Sequence, residues 1–185
     1  MECTVQDVEL SSILRGSKYT ILLKDEVSTS ERLDEVILEI LGCNSRRLLS
    51  GTMIQGLGVV LTTNGNRSFM EIGLPEEPQI TLGKIYGPNR ALLYTIMSCL
   101  SALSRCCLCK KGDQELSYYS LDRKSQVGRT AQGICKKGKN VIVYFRPTAS
   151  TEERLALLGT SILFVIEVLY PQYAEWVRLN ETNQS

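Results

Sequence analysis

The pattern of apolar and polar positions along the chain predicts where strands lie. Residues Lys18–Val27 (KYTILLKDEV) and Asn140–Pro147 (NVIVYFRP) are rich in β-branched and aromatic side chains, which favour strands. Asn64-Gly65 stands between two strand-like runs, a pattern typical of a tight hairpin. A further short strand is predicted at Gln79–Ile85, inside a segment otherwise rich in proline and glycine.

A first helix is predicted before Gly42. Ser28 and Glu31 have the spacing of a capping box, and apolar residues then recur on one helix face. Residues 31–41 are therefore expected to form an amphipathic helix. In that helix Leu33, Ile37 and Ile40 would be buried, and Asp34, Glu35 and Glu39 would be exposed.

A second helix is predicted near the other end of the chain. It follows Ser150-Thr151-Glu152-Glu153, which again has capping-box spacing. From Leu155 to Leu169 the sequence is apolar on nearly every helix face, which indicates a central buried helix. Tyr170-Pro171 is expected to end or kink it, because the residue before a proline disfavours helical geometry. Residues 173–179 can then form a short terminal helix.

The middle of the chain is less determined by its pattern. Residues 90–109 fit either a helix or a buried strand, and their length favours the helix. Residues 110–139 carry glycine, serine and charge, and predict exposed loops with weak strands. The expected fold is α+β, with a mainly antiparallel sheet packed against two principal helices, one near each end of the chain. Residues 18–179 are expected to form one domain between an N-terminal segment, 1–17, and a C-terminal tail, 180–185.

Charge is distributed unevenly although the formal net charge is only +1. Residues 1–83 hold seven Lys/Arg and twelve Asp/Glu, residues 84–146 hold twelve and three, and residues 147–185 hold two and five. A strongly basic block of this kind is typical of proteins that bind polyanions. The alternative is that these cations are scattered over several faces and pair with acidic neighbours. The candidate polyanion-binding residues are Lys110, Lys111, Arg123, Lys124, Arg129, Lys136, Lys137 and Lys139.

Three cysteines fall within four positions, Cys106, Cys107 and Cys109, directly before Lys110-Lys111. A structural zinc site needs four ligands, and the chain has no histidine and no second C-x-x-C pair, so no metal is expected. Cysteines beside an apolar segment and basic residues are candidates for acylation, which together with the charges would anchor a protein to a membrane. The alternative, which we favour, is that they are reduced core residues, because cysteine is often buried.

The sequence argues against an enzyme. Without histidine, neither a Ser-His-Asp nor a Cys-His arrangement can exist, so no catalytic residues are assigned. Neither a complete dinucleotide fingerprint nor a P-loop is present, and we expect no cofactor. The first ten residues lack the basic and apolar regions of a signal peptide, so we expect a cytoplasmic protein that is not secreted.

The order of the predicted elements resembles that of small matrix proteins of the rhabdovirus type. The likeness covers less than half of the chain: strand KYTILLKDEV, helix ERLDEVILEILG and the segment RRLLSGTMIQGLGVVLTTNG, and again NVIVYFRP with its following helix. The chain departs from such proteins in having an acidic N-terminal segment and no PPxY or PTAP motif.

The resemblance implies a non-enzymatic structural protein of virion assembly in the host cytoplasm. Such a protein self-associates and bridges a viral nucleocapsid or its RNA to the acidic inner face of a membrane. The alternatives are a cytosolic RNA-binding or viral accessory protein, such as a silencing suppressor, and an interaction domain that binds no polyanion. The sequence leaves open whether RNA or lipid is the polyanion.

Overall fold

The computed structural model consists of one large antiparallel sheet and a helical C-terminal segment. It describes residues 12–24, 37–74, 81–87, 90–97, 115–119, 126–132 and 139–178. The ten strands are β1 Lys18–Lys24, β2 Ile37–Leu41, β3 Arg47–Ile54, β4 Gly58–Thr63, β5 Ser68–Gly73, β6 Thr81–Tyr86, β7 Leu92–Met97, β8 Glu115–Tyr119, β9 Gln126–Gln132 and β10 Lys139–Phe145.

The strands form a meander whose last three members return to its beginning. The order across the sheet is β7-β6-β5-β4-β3-β2-β1-β10-β9-β8, and every pair is antiparallel. β1 therefore pairs with β2 on one side and with β10 on the other, so that the two halves of the chain share one sheet. The prediction of a mainly antiparallel α+β fold is confirmed.

Three helical pieces follow β10. Helix α1 spans Thr151–Phe164, a π-helical turn continues it over Val165–Leu169, and helix α2 spans Pro171–Arg178. The predicted capping box is present, because Ser150 Oγ accepts from the Glu153 amide and the Glu153 carboxylate accepts from the Ser150 amide. The chain bends by 98° between Leu169 and Pro171, as the proline predicted.

The sheet curls around α1, and opposite faces of this helix contact opposite sides of the sheet. Leu157 lies so close to Gly128 of β9 that a Cβ added at this glycine would be 3.2 Å from the leucine side chain. The Ser161 hydroxyl forms a hydrogen bond with the Thr130 hydroxyl of the same strand. Gly159 and Leu163 lie about half a helical turn away from these two helix residues and face β6 instead. An alanine at Gly83 of β6 would place its Cβ 2.7 Å from Leu163. The helix is apolar all round because the sheet surrounds it.

The core consists of the inner sheet face and the helix that it surrounds. In the strands whose side chains the structure describes, alternate residues point inward, as the two-residue period of a strand requires. These inward residues include Tyr19, Ile21, Leu38, Ile40, Leu49, Met53, Val59, Leu61, Met70, Ile72, Ile85, Val141 and Val143, each at most 1% exposed. Leu158, Ile162 and Val165 fill the interior from the helix side. The prediction of a buried C-terminal helix is confirmed.

The predicted helix over residues 31–41 is wrong where the structure describes it. Ile37–Leu41 is strand β2, paired with β1 and β3, while residues 31–36 lie outside the described part of the chain. Leu38 and Ile40 face the core, and Glu39, predicted to be exposed, points to the other face and is only 8% exposed. Two neighbouring strands, β1 on one side and β3 on the other, satisfy the backbone of β2, and such pairing overrides local helix propensity. Apart from a helical turn at Ser12–Ile13, the helices of the described residues lie in the C-terminal part, and the prediction of one principal helix near each end is not supported.

The preference for a helix over residues 90–109 is also wrong in its described portion. Leu92–Met97 forms strand β7 at one side of the sheet, paired with β6, while residues 98–109 lie outside the described part. Residues 115–119 and 126–132 of the predicted loop region form the paired strands β8 and β9. The strands predicted at Lys18–Val27, Gln79–Ile85 and Asn140–Pro147 are present as β1, β6 and β10, and Asn64-Gly65 does connect β4 to β5.

Candidate polyanion-binding surface

Most of the residues that the sequence assigned to a site fall outside the described part of the chain. This holds for Lys110, Lys111, Arg123, Lys124, Lys136 and Lys137, and also for Cys106, Cys107 and Cys109. Arg129 is described and exposed on β9, and Lys139 is described in its backbone as the first residue of β10. These two residues are the ones whose placement can be compared.

Arg129 and Lys139 lie towards opposite ends of the same strand pair. Arg129 pairs with Tyr144, five residues beyond Lys139 along β10. At about 3.3 Å per residue, this spacing separates the two positions by roughly 16 Å along the strands. They belong to one surface only if a ligand spans that length.

Arg129 takes part in a row of side chains across three strands. Lys18 of β1, Tyr144 of β10 and Arg129 of β9 are directly paired in register. The Arg129 guanidinium lies 4.6 Å from the centre of the Tyr144 ring, and Lys18 Nζ lies 5.9 Å from it. Both distances fall within the range of cation–π attraction, so the tyrosine ring holds two cations close together on the outer face.

This row stands at the end of the sheet where α1 begins. Arg154, in the first turn of α1, donates to the carbonyl oxygen of Gly16, just before β1. The Tyr94 hydroxyl, from the start of β7, donates to the carbonyl oxygen of Glu152 at 3.2 Å. The beginnings of β1 and β7, six strands apart in the sheet, thus meet the same helical turn. Strand ends from both sides of the curled sheet are gathered at this end of the molecule.

The turns at this end carry a set of exposed cations. Because the strands run antiparallel, the β2–β3, β4–β5 and β6–β7 connections all lie here. Each of these turns contains one non-glycine residue in the left-handed region: Ser45 at φ 59°, Asn66 at φ 56° and Arg90 at φ 56°. With the residues that begin β1 and end β10, they present exposed side chains that we call the basic end: Arg15, Lys18, Arg46, Arg47, Arg67, Arg90, Arg129 and Arg146.

Carboxylates offset only part of this charge. Glu39 accepts a hydrogen bond from Arg47 at 3.5 Å, and Glu71 accepts two from Arg90 at 3.1 and 3.4 Å. Glu152 and Glu153 are exposed in the first turn of α1. Eight cations against these four carboxylates leave the described part of the basic end with a net charge of about +4.

The described residues at the opposite end of the molecule carry a different balance of charges. There the β3–β4 turn meets α2, with the Gly56 amide donating to the Val177 carbonyl oxygen at 2.7 Å. Glu167 of the π-helical turn is paired with Arg178 of α2, and Glu175 is exposed. The strand ends on this side also carry Lys24, Lys139 and Glu115. Three basic and three acidic residues therefore balance here, and the positive excess of the described residues lies at the end where α1 begins.

Beneath the basic end, a buried hydrogen-bond cluster fixes the start of β1. Arg154 is 7% exposed and donates to the carbonyl oxygens of Leu14, Gly16, Arg146, Pro147 and Ala149. The Tyr19 hydroxyl accepts from the Gly16 amide at 2.7 Å, and burial raises the pKa of this phenol above its usual value. These groups hold the segment that presents Arg15 and Lys18.

One shallow groove lies on the outer face of β5 and β6, between the β3–β4 turn and Arg90. It has a volume of about 420 Å³ and is lined by Leu57, Glu71, Gly73, Leu74, Lys84, Tyr86 and Arg90. Its carboxylate is held by Arg90 in a bidentate pair, so it is not positioned as a general base. Across the described residues, no group of three or more His, Cys, Asp or Glu side chains could hold a metal ion.

The comparisons with known proteins leave the function to be inferred from the geometry. No family model, curated protein or solved structure matches this chain. In the described part of the chain no single helix could cross a membrane, and only the bent pair Thr151–Leu169 and Pro171–Arg178 has the required length and composition. The helix at residues 31–41 was one of the elements on which the resemblance to matrix proteins rested, and its described portion is a strand.

The sequence block from residue 84 to residue 146 missed five of the eight residues of the basic end. Arg15, Lys18, Arg46, Arg47 and Arg67 come from the first 83 residues, whose net charge is negative. The turn sequences contain a signal that could have identified some of these residues. Every second connection of an antiparallel meander lies at the same end, and Arg46 and Arg67 each follow an asparagine-containing turn in alternate connections.

Proposed function

We propose that this protein is a non-enzymatic assembly protein that binds polyanions through its basic end. The observation that carries the proposal is the segregation of exposed cations to the end of the sheet where α1 begins. Neighbouring strands are about 5 Å apart, so successive turns at this end, which are two strands apart, are separated by about 10 Å. This distance is comparable to the Debye length at about 0.1 M salt, so the potentials of their cations partly add. The role is that of a matrix-type protein, which self-associates and connects a viral ribonucleoprotein to an acidic membrane.

The strand geometry supports a bridging role. Arg129 belongs to the basic end, whereas Lys139 starts β10 roughly 16 Å away along the strand, directly after Lys136 and Lys137 in the sequence. Cations at two separated positions can bind two different polyanions at once. A single continuous patch would bind either one or the other.

The proposal is tested by reversing one charge of the basic end. Arg46→Glu changes an exposed turn residue, and its matched control, Lys84→Glu, reverses an exposed cation of β6 away from the turns. Each variant is titrated with vesicles containing phosphatidylserine and, separately, with single-stranded RNA at two salt concentrations. Each cation near an acidic surface contributes about 1 kcal/mol, so Arg46→Glu should weaken vesicle binding by about tenfold or more. Equal effects of the two variants would overturn the assignment of the basic end.

The alternative is an RNA-binding accessory protein without a membrane role. In that case the protein would bind RNA with a strong salt dependence but would not bind acidic vesicles in the absence of RNA. Binding of neither polyanion by the native protein would leave the third possibility, an interaction domain without a polyanion partner.

A further inference from the structure

Two adjacent leucines are exposed at the basic end. Leu92 is 54% exposed and Leu93 is 41% exposed, and both lie at the start of β7. The inward-facing residues of the core strands, by contrast, are buried. The two leucines directly follow Arg90 and Ala91, which are exposed as well. Exposed large apolar residues beside cations, at the tip of a connection, are a combination that marks an interaction surface.

The turn that carries these leucines is held in place by hydrogen bonds. The Gly87 amide donates to the Ala91 carbonyl oxygen, and the Arg90 amide donates to the Gly87 carbonyl oxygen, both at 2.9 Å. Arg90 itself is fixed to Glu71 of β5 by two hydrogen bonds. Leu92 and Leu93 therefore begin a strand whose described preceding residues, Gly87, Arg90 and Ala91, are hydrogen-bonded.

Two observations favour a membrane over a nucleic acid as the partner. Single-stranded nucleic acid is bound by stacking of bases on exposed aromatic rings. Among the side chains that the structure describes, every aromatic residue is at least partly buried, and the Tyr144 ring is flanked by Arg129 and Lys18. Leucines have no such use with nucleic acid, whereas apolar residues next to cations bind the headgroup region of an anionic bilayer.

We propose that the basic end docks on an anionic lipid bilayer with Leu92 and Leu93 inserted among the headgroups. This inference rests on the proposed function and adds an orientation: the axis of α1 stands away from the bilayer, with its first turn towards the lipid. The carboxyl end of α1 and helix α2 then lie about 20 Å or more from the membrane surface.

The test replaces the two leucines by residues that keep the strand. In Leu92→Thr/Leu93→Thr the β-branched threonines favour the strand but do not enter lipid. Binding to vesicles with phosphatidylserine should fall by about tenfold or more, while the salt dependence is unchanged because no cation is removed. The matched control is Ile54→Thr/Val168→Thr, which removes the two apolar residues that are 40% and 46% exposed at the opposite end. This control should bind vesicles like the native protein.

Insertion is measured directly by quenching. Trp176 is the single tryptophan and lies on α2, so Trp176→Phe gives a background without tryptophan fluorescence. In this background Leu92→Trp should be quenched by vesicles of brominated lipid, and in the parent protein Trp176 should not be.

The outcomes separate this inference from the proposed function. Vesicle binding that survives the leucine substitutions but is lost in Arg46→Glu would overturn the insertion and leave the polyanion function intact. Equal loss in the leucine variant and the Ile54/Val168 control, or quenching of Trp176 by brominated lipid, would overturn the orientation. Native protein that does not bind acidic vesicles would overturn both proposals.

Discussion

Arg154 Nη1 lies 2.8 Å from the main-chain carbonyl oxygen of Leu14, 140 residues earlier in the sequence. The guanidinium donates to five carbonyl oxygens, which belong to the segment before β1 and the turn before α1. A planar group with five N–H donors fits this cluster, and a lysine ammonium could not replace it. This residue ties the first described segment to the central helix.

Replacing Arg154 with methionine should destabilise the fold strongly. The buried carbonyl oxygens would lose their donor, and each unsatisfied buried group costs about 1–3 kcal/mol. We expect the free energy of unfolding to fall by on the order of 3 kcal/mol or more, measured by urea denaturation. Arg154→Lys should recover only a small part of this loss. Full recovery in the lysine variant would show that charge, and not the donor geometry, is what the site requires.

A second prediction concerns the contact between Gly159 of α1 and Ile85 of β6. A Cβ added at Gly159 would overlap the Cδ1 atom of Ile85, a side chain that is fully buried. Alanine normally favours a helix over glycine by about 1 kcal/mol, but overpacking here should outweigh that and cost about 1–3 kcal/mol in total. Ile85→Val shortens the opposing side chain, and the double variant should be more stable than Gly159→Ala alone. A stabilised single variant would contradict the close approach of helix and strand.

The raised pKa of Tyr19 predicts a specific loss of stability at alkaline pH. Burial is the main cause of the shift, so the folded state keeps the phenol protonated at pH values where the unfolded chain ionises. The stability is therefore fully present below 10.0, the ordinary pKa of a tyrosine phenol, and declines as pH rises above it. Tyr19→Phe should be less stable at neutral pH, because it loses the hydrogen bond from Gly16, but its stability should decline less steeply at alkaline pH. If the urea midpoints of both proteins fell by the same amount across this pH range, Tyr19 would not be the source of the alkaline loss of stability.

The double variant Lys136→Glu/Lys137→Glu tests the lysines that precede Lys139 in the sequence. Exposed charges contribute little to folding, so the denaturation midpoint should stay nearly unchanged. Binding of RNA or acidic lipid should weaken, and the salt dependence should become flatter in proportion to the number of phosphates that the variant no longer neutralises. If the two ends bind different polyanions, this variant and Arg46→Glu should each affect one polyanion more than the other. Unchanged binding with an unchanged salt slope would favour dispersed, neutralised lysines.

The C-terminal helical segment was predictable because its local signals agree with its environment. The Ser150–Glu153 capping box, the apolar run and the proline at 171 all specify a helix that ends where the observed one ends. The strands β1 and β10 were predictable for the same reason. Their β-branched composition agrees with two-sided pairing inside the sheet.

Residues 37–41 could not be assigned correctly from their own pattern. ILEIL places Leu38 and Ile40 on one face of a strand, but it also continues the helical spacing from Leu33. The deciding interactions are with β1 and β3, and a local window does not contain them. The basic end was missed for a related reason, because its cations are far apart in sequence and are gathered by the alternation of turns.

The position of α1 inside the sheet also constrains when the protein can fold during synthesis. The ribosome releases the strands first, whereas the helix that fills the interior and the β10 partner of β1 come from the last quarter of the chain. Until then, the inner faces of β2 to β6 lack the helix that packs on them in the folded protein, and β1 cannot form its long-range pairing with β10, which slows folding. Nascent chains cut short before α1 should therefore be aggregation-prone and depend on chaperones, and the complete polypeptide should acquire protease resistance in a single late step.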